Sequence, residues 1–276
     1  MPFIRGGCQL WCYTSTAIYK ETRKKLDFWS APAYILLLLN PILFSFLIVS
    51  IISTFPNILL QVFLVGGWLG IILIFAEALN RFAKVDPEIS RKVVHIGTGN
   101  VILFAWWLEI PPWIGITAGI ISAAIALISY RLPILPSVNS VGRKSLGTFF
   151  YAVSIGILIG WFWSIQQPQY AAVGILTMAW GDGFAAIIGQ NFGKHPYQVW
   201  GMNKSWEGSL GMCVVSYTVC SLILLAVQGN IWQTWIVAIP VALAATALET
   251  LSKVGLDNLT VPLGSAALCF FLNQFF

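Results

Sequence analysis

Residues Gly208 to Val227 read GSLGMCVVSYTVCSLILLAV, twenty positions without a charged side chain. Lys204 and Glu207 stand just before this run, and Gln228-Gly229-Asn230 follow it. An α-helix rises about 1.5 Å per residue, so some twenty apolar residues cross the roughly 30 Å hydrocarbon core of a bilayer. The run therefore reads as a membrane span. The same pattern recurs along the chain at about 33–54, 58–79, 93–110, 113–130, 146–165, 170–188, 231–251 and 259–276. The expected fold is an all-α polytopic bundle of about nine transmembrane helices.

Composition agrees. Of the 276 residues, 58% are hydrophobic and 9% charged, against about 25% charged in an ordinary soluble domain, which excludes a soluble globular protein. The net charge of +5 has a membrane explanation. With the N-terminus inside, the outward breaks are Phe55-Pro56-Asn57, Glu109-Ile110-Pro111-Pro112, Gln166-Gln167-Pro168-Gln169 and Gln228-Gly229-Asn230, and none carries Lys or Arg. All fifteen basic residues then fall on the inner side, as the positive-inside rule requires. No nucleic-acid partner is needed to account for them.

Residues 1–30 hold Arg5 and the basic group Lys20, Arg23, Lys24 and Lys25 without a continuous apolar h-region. They read as a basic juxtamembrane segment on anionic lipid rather than a secretory signal, preceding one membrane domain over 31–276. Of the five cysteines, Cys213, Cys220 and Cys269 lie in apolar runs, and Cys8 and Cys12 in the N-terminal segment. No metal-ligand spacing appears, so they read as packing residues.

Charge within or beside a span is costly and marks function. Glu77, Arg91, Lys92, His95, Arg143, Lys144, Asp182, Lys204, Glu207, Glu249 and Asp257 all fall on the inner side of this topology. A transport path would distribute polar groups through the membrane depth. One-sided chemistry instead suggests an enzyme that takes a water-soluble substrate from inside and a lipid from the bilayer.

The densest stretch runs from Trp180-Gly181-Asp182-Gly183 through Gly189 and Gly193 to Lys194, followed by Lys204-Ser205-Trp206-Glu207-Gly208. Its small residues admit close approach, by a neighbouring helix or by a phosphate chain. Asp182 can hold a divalent cation on a triphosphate, and Lys204 can neutralise phosphate oxygens. Ser205 fits either this site or an N-cap for the following span. No Walker A order is present. Arg91 and His95, four apart, share a helix face, and Arg91-Lys92 and Arg143-Lys144 each open a span, where cations beside a positive helix end make an anion site. Asp257-Asn258 offers oxygen ligands for magnesium or caps the last span.

Together Arg91-Lys92-x-x-His95, Gly181-Asp182-Gly183-x-Ala185-x-x-x-Gly189-x-x-x-Gly193, Lys204-Ser205-Trp206-Glu207-Gly208 and Asp257-Asn258-Leu259-Thr260-Val261-Pro262 resemble the membrane-embedded polyprenol kinase family, most closely its phytol or farnesol kinase branch. The resemblance implies transfer of the γ-phosphoryl group of a nucleoside triphosphate, typically CTP with UTP or ATP as alternatives, to a long-chain isoprenoid alcohol. Phytol is expected ahead of farnesol or geranylgeraniol, with Mg2+ as cofactor and a role in phytol salvage toward tocopherol. The nucleotide would come from the cytoplasmic side and the alcohol from the bilayer. The expected setting is a cyanobacterial-type plasma or thylakoid membrane, or a plastid envelope. On this reading Arg91, Lys92, Arg143, Gly181, Asp182, Gly183, Gly189, Gly193, Lys204 and Ser205 bind nucleotide, and Asp182, Asp257 and Asn258 hold the metal. Lys204 acts in catalysis, with Glu207 or His95 accepting the alcohol proton.

A CDP-diacylglycerol synthase, a cytidylyltransferase with a similar Lys-Thr-x-Glu-Gly segment, is the alternative. The C-terminal stretch Leu256-Asp257-Asn258-Leu259-Thr260 lacks the Asp-rich, Arg-containing character of those synthases. A transporter using Asp182, Glu249 and Glu77 as coupling carboxylates is a more distant alternative.

Overall fold

A computed structural model describes residues 41–82, 87–129 and 146–276. The basic N-terminal segment 1–30, and Arg143 with Lys144, lie outside the described residues. The chain divides into two compact units, Met1–Ile58 and Leu59–Phe276, and the site described below belongs to the second.

The described residues form ten α-helices: α1 (Pro41–Phe82), α2 (Pro87–Gly99), α3 (Val101–Trp107), α4 (Pro112–Ser129), α5 (Gly147–Phe162), α6 (Pro168–Leu176), α7 (Gly183–Phe192), α8 (Trp206–Gln228), α9 (Trp232–Leu251) and α10 (Asp257–Phe275). Four begin on a proline, whose fixed φ and missing N–H suit the first helical position. Among the described residues, five segments are long and apolar enough to cross a membrane: Ile58–Leu79, Pro112–Ser129, Pro168–Phe192, Trp206–Gln228 and Trp232–Leu251. The all-α polytopic class expected from the sequence is the class observed.

Several details differ from the sequence reading. Phe55-Pro56-Asn57, expected as an outward break, are helical within α1; a proline removes one intrahelical hydrogen bond, which a membrane helix tolerates. The span expected at 93–110 is two helices, α2 and α3, interrupted at Asn100. Gly97, Gly99 and Asn100 weaken the helix there, and the Asn100 carboxamide oxygen accepts a hydrogen bond from the Trp180 indole at 2.9 Å. The break between 193 and 205 contains a two-stranded antiparallel hairpin, β1 (Pro196–Val199) and β2 (Met202–Ser205). Its turn residues Trp200 and Gly201 both have positive φ, 54° and 79°, as a two-residue hairpin turn demands.

Segment Pro168–Phe192 is the most buried of the five. Ala171, Ala172, Val173 and Met178 are wholly enclosed, with α5, α8 and α10 packed around them. The segment is not uniformly α-helical: Thr177–Asp182 forms one π turn between α6 and α7. A π turn inserts an extra residue and re-aims the side chains after it, and such turns recur at functional sites. Here it carries Trp180, Gly181 and Asp182. Glycines flank the aspartate because neighbours close in on both sides. A Cβ on Gly181 would lie 2.5 Å from the Met212 sulfur of α8, and one on Gly183 would lie 2.6 Å from the Ile96 side chain of α2.

Candidate active site

Asp182 sits ten residues before the end of α7, about 15 Å inward along the helix at 1.5 Å per residue. Its Oδ2 accepts from the Lys92 ammonium at 2.5 Å. Lys92 is buried and Asp182 nearly so, with side-chain exposures of 7% and 13%. Taking two charges out of water costs several kcal/mol each, and only close pairing offsets that. The 13-residue α2 is amphipathic and brings Lys92 and His95 to Asp182 on one face; His95 Nε2 is 3.8 Å from Asp182 Oδ2. The His95 ring lies against Tyr151 of α5 at 4.4 Å between centroids. His95 Nε2 is buried and makes no hydrogen bond. Arg91 stands close enough to act on both His95 and Asp182.

A second ion pair lies beside this one. Lys204, the penultimate residue of β2, donates to the backbone oxygen of Glu249 at 2.7 Å and pairs with the Glu249 carboxylate. It therefore binds the last turn of α9, where carbonyl oxygens lack helical partners. Asp257, ahead of the apolar run that begins at Leu259, feels Asp182, Lys92 and Glu249 together. Burial, and after it the Asp182 carboxylate, pushes the Asp257 carboxyl up to about 6. Asn258 Nδ2 donates to Asp257 Oδ1 and to the Gly255 oxygen, each at 3.3 Å. Asp257 does not cap α10: the cap position is Leu256, with no side-chain cap bond.

Arg91, Lys92, His95, Asp182, Lys204, Asp257 and Asn258, expected to act together, are thus gathered with Glu249 into one electrostatic cluster. The structure assigns other work to several further residues. Ser205 is the N-cap of α8, its hydroxyl accepting from the Gly208 N–H at 3.1 Å, so the capping alternative is the one seen. A Cβ on Gly189 would meet the Ser205 hydroxyl at 3.2 Å, and one on Gly193 would meet it at 2.9 Å. Gly181, Gly183, Gly189 and Gly193 therefore all adjoin protein, which is the helix-approach alternative. Glu207 accepts from His195 Nδ1 at 2.6 Å and from the His195 backbone N–H at 3.3 Å. Glu249 stood out in the sequence only as a charge beside a span, without the lysine it pairs with, and His195 did not stand out because it had no fixed-spacing partner.

Asp182, Asp257 and Asn258 carry hard oxygen donors of the kind magnesium takes, and the Asp182 and Asp257 carboxylates are near enough to act on each other. Among the described residues, no set of three or more His, Cys, Asp and Glu converges on a point. Magnesium is commonly held by one or two carboxylates with substrate phosphates and water completing its shell, so the donor set fits a nucleotide-borne ion.

The described residues thus form a helical membrane bundle with lysine–carboxylate pairs gathered about the π turn of its central helix, which is not the architecture of a soluble domain. The chain is 54% identical over 203 residues to the phytol kinase of Synechocystis, covering 74% of this chain and 87% of that protein. It is 29% identical over 227 residues to phytol kinase 1, chloroplastic, of Arabidopsis thaliana, covering 72% and 71%. Against a probable chloroplastic phytol kinase of Triticum aestivum it is 29% identical over 222 residues, 71% of each chain. The chain belongs to the phytol kinase family. No family model and no solved structure matches it.

Proposed function

We propose that this protein phosphorylates phytol at the charged cluster around Asp182, with CTP as donor and magnesium as cofactor, feeding phytol salvage toward tocopherol. The observation that carries the reading is the buried Lys92–Asp182–His95 group, with Asp257 and the Lys204–Glu249 pair beside it. Its support from relatives is the name phytol kinase on a protein 54% identical over most of both chains.

Phosphoryl transfer asks the protein chiefly for positioning and charge neutralisation. Lys204, Arg91 and Lys92 hold the phosphates, with Arg143 as a further clamp. Asp182, Asp257 and Asn258 hold the magnesium ion, which neutralises charge on the phosphates when bound. The alcohol oxygen attacks the γ-phosphorus, the bond from that phosphorus to the β–γ bridging oxygen breaks, and CDP leaves. The hydroxyl proton passes to a base within about 3 Å, directly or through one water. Of the two candidates, His95 has the better geometry, because its Nε2 is uncommitted whereas Glu207 is bound by His195. The isoprenoid tail stays in hydrocarbon throughout.

The test is incubation of membranes carrying the protein with γ-labelled CTP and, separately, phytol, farnesol and diacylglycerol, followed by extraction of lipid. Label in phytyl phosphate that is absent in Lys204→Ala supports the proposal. Transfer only from α-labelled CTP to a phosphatidate-derived product would establish a cytidylyltransferase instead.

A further inference from the structure

An apolar groove of about 580 Å3 lies between α3, segment Pro168–Phe192 and α8. Leu103 and Trp107 wall one side, Leu176 and Trp180 the floor, and Leu222 and Val227 the other side. Leu176, Trp180 and Phe184 follow at intervals of four and form a single stripe. The groove is open to the lipid side: Trp107, Leu222 and Val227 are 68%, 57% and 46% exposed.

Two polar side chains line it, and both are engaged internally. The Asn100 carboxamide oxygen accepts from Trp180, and the Thr218 hydroxyl donates to the Val214 oxygen at 2.8 Å. The groove thus offers its occupant hydrocarbon and aromatic faces. Its volume lies within the roughly 300–1,000 Å3 of small-molecule sites. Along α8 it extends from Val215 to Val227, about 18 Å at 1.5 Å per residue, slightly more than half of the roughly 30 Å bilayer core. Its Asn100–Trp180 end is next to the charged cluster along the chain: Trp180 precedes Asp182 by two residues in the same π turn, and Asn100 follows His95 by five.

We propose that this groove is the binding site for the isoprenoid tail of the alcohol substrate, entered sideways from the membrane, with the hydroxyl at the Asn100–Trp180 end. The proposal rests on the lipid-alcohol kinase reading and adds to it the place that measures chain length. Ala226, near the outer end of the lining, is where added bulk would shorten the groove without touching the charged cluster.

Purified protein in nanodiscs would be assayed with phytol and with the short alcohol geraniol, comparing wild type, Ala226→Trp and the lipid-facing control Ile120→Trp. Ala226→Trp should lower turnover of phytol at least tenfold and that of geraniol less than threefold, with Ile120→Trp unchanged on both. Equal effects of Ala226→Trp on the two alcohols, or none on either, would overturn the groove assignment while leaving the kinase intact. A phytol analogue carrying a diazirine in its tail provides a readout independent of turnover. It should label α8 peptides around Leu222, with competition by phytol and not by phosphatidylcholine. Label elsewhere, competition by phosphatidylcholine, or labelling at the contact of a second copy, overturns the assignment. Groove labelling in a protein that transfers no γ-phosphate would refute the kinase reading and keep the tail site.

Discussion

Replacing Asp182 with asparagine keeps the shape of the side chain and removes its charge. Lys92, 6% exposed, then loses the carboxylate that lies 2.5 Å from its ammonium while remaining enclosed between α2 and the central helix. Breaking a buried pair by neutralising one member costs about 3–5 kcal/mol, enough to shift the folded-to-unfolded ratio by about two to three and a half powers of ten at about 1.4 kcal/mol each. Asp182→Asn should therefore lower the thermal stability of detergent-solubilised protein and abolish most phosphoryl transfer. The double variant Asp182→Asn with Lys92→Met removes both charges and should recover the stability to within about 1 kcal/mol, with turnover still lost. The double-mutant cycle is read by thermal unfolding, and activity by label transfer to lipid. A coupling below about 0.5 kcal/mol, the scatter expected for independent sites, would refute the buried pair. Activity regained in the double variant would refute a role for Asp182 in the chemistry.

Lys204→Ala should lower kcat/KM at least a hundredfold and Glu249→Gln less so, because Glu249 acts through the lysine it holds; equal kinetics in Lys204→Ala and wild type would remove the residue from the site. Ser205→Ala should cost about 1 kcal/mol through loss of the α8 cap while turnover stays within a few-fold, and unchanged stability would refute the capping role. Gly183→Leu should unfold the protein or reduce its expression, because Ile96 occupies the space; partial rescue by Ile96→Ala would locate the clash, and normal stability of the single variant would contradict it. Cys213→Ala and Cys220→Ala should each leave activity within a few-fold, and loss of function from either would overturn the packing reading.

The membrane class was legible because it needs only length and apolarity: α4, α8 and α9 fall within a few residues of the spans read from the chain. The candidate residues were legible because charge is rare there, so Lys92, Asp182 and Lys204 stood out singly. Their pairing was not. Lys92 and Asp182 are ninety residues apart, and which faces of apolar helices meet is not written in a hydrophobic period when every face is apolar. The π turn was equally hidden, since it depends on how α2 and α8 crowd Gly181 and Gly183. Asn100 illustrates the reverse case. It reads as a polar interruption of an apolar run beside two glycines, and the structure adds the Trp180 indole that its carboxamide receives.

The same buried pair has a consequence for biogenesis. Lys92 emerges from the ribosome ninety residues ahead of Asp182, and an unpaired ammonium is poorly accommodated in hydrocarbon. Helix α2 cannot settle in its final environment until the central helix has been synthesised and has arrived beside it. Completion of the Lys92–Asp182 pair therefore follows synthesis of the central helix.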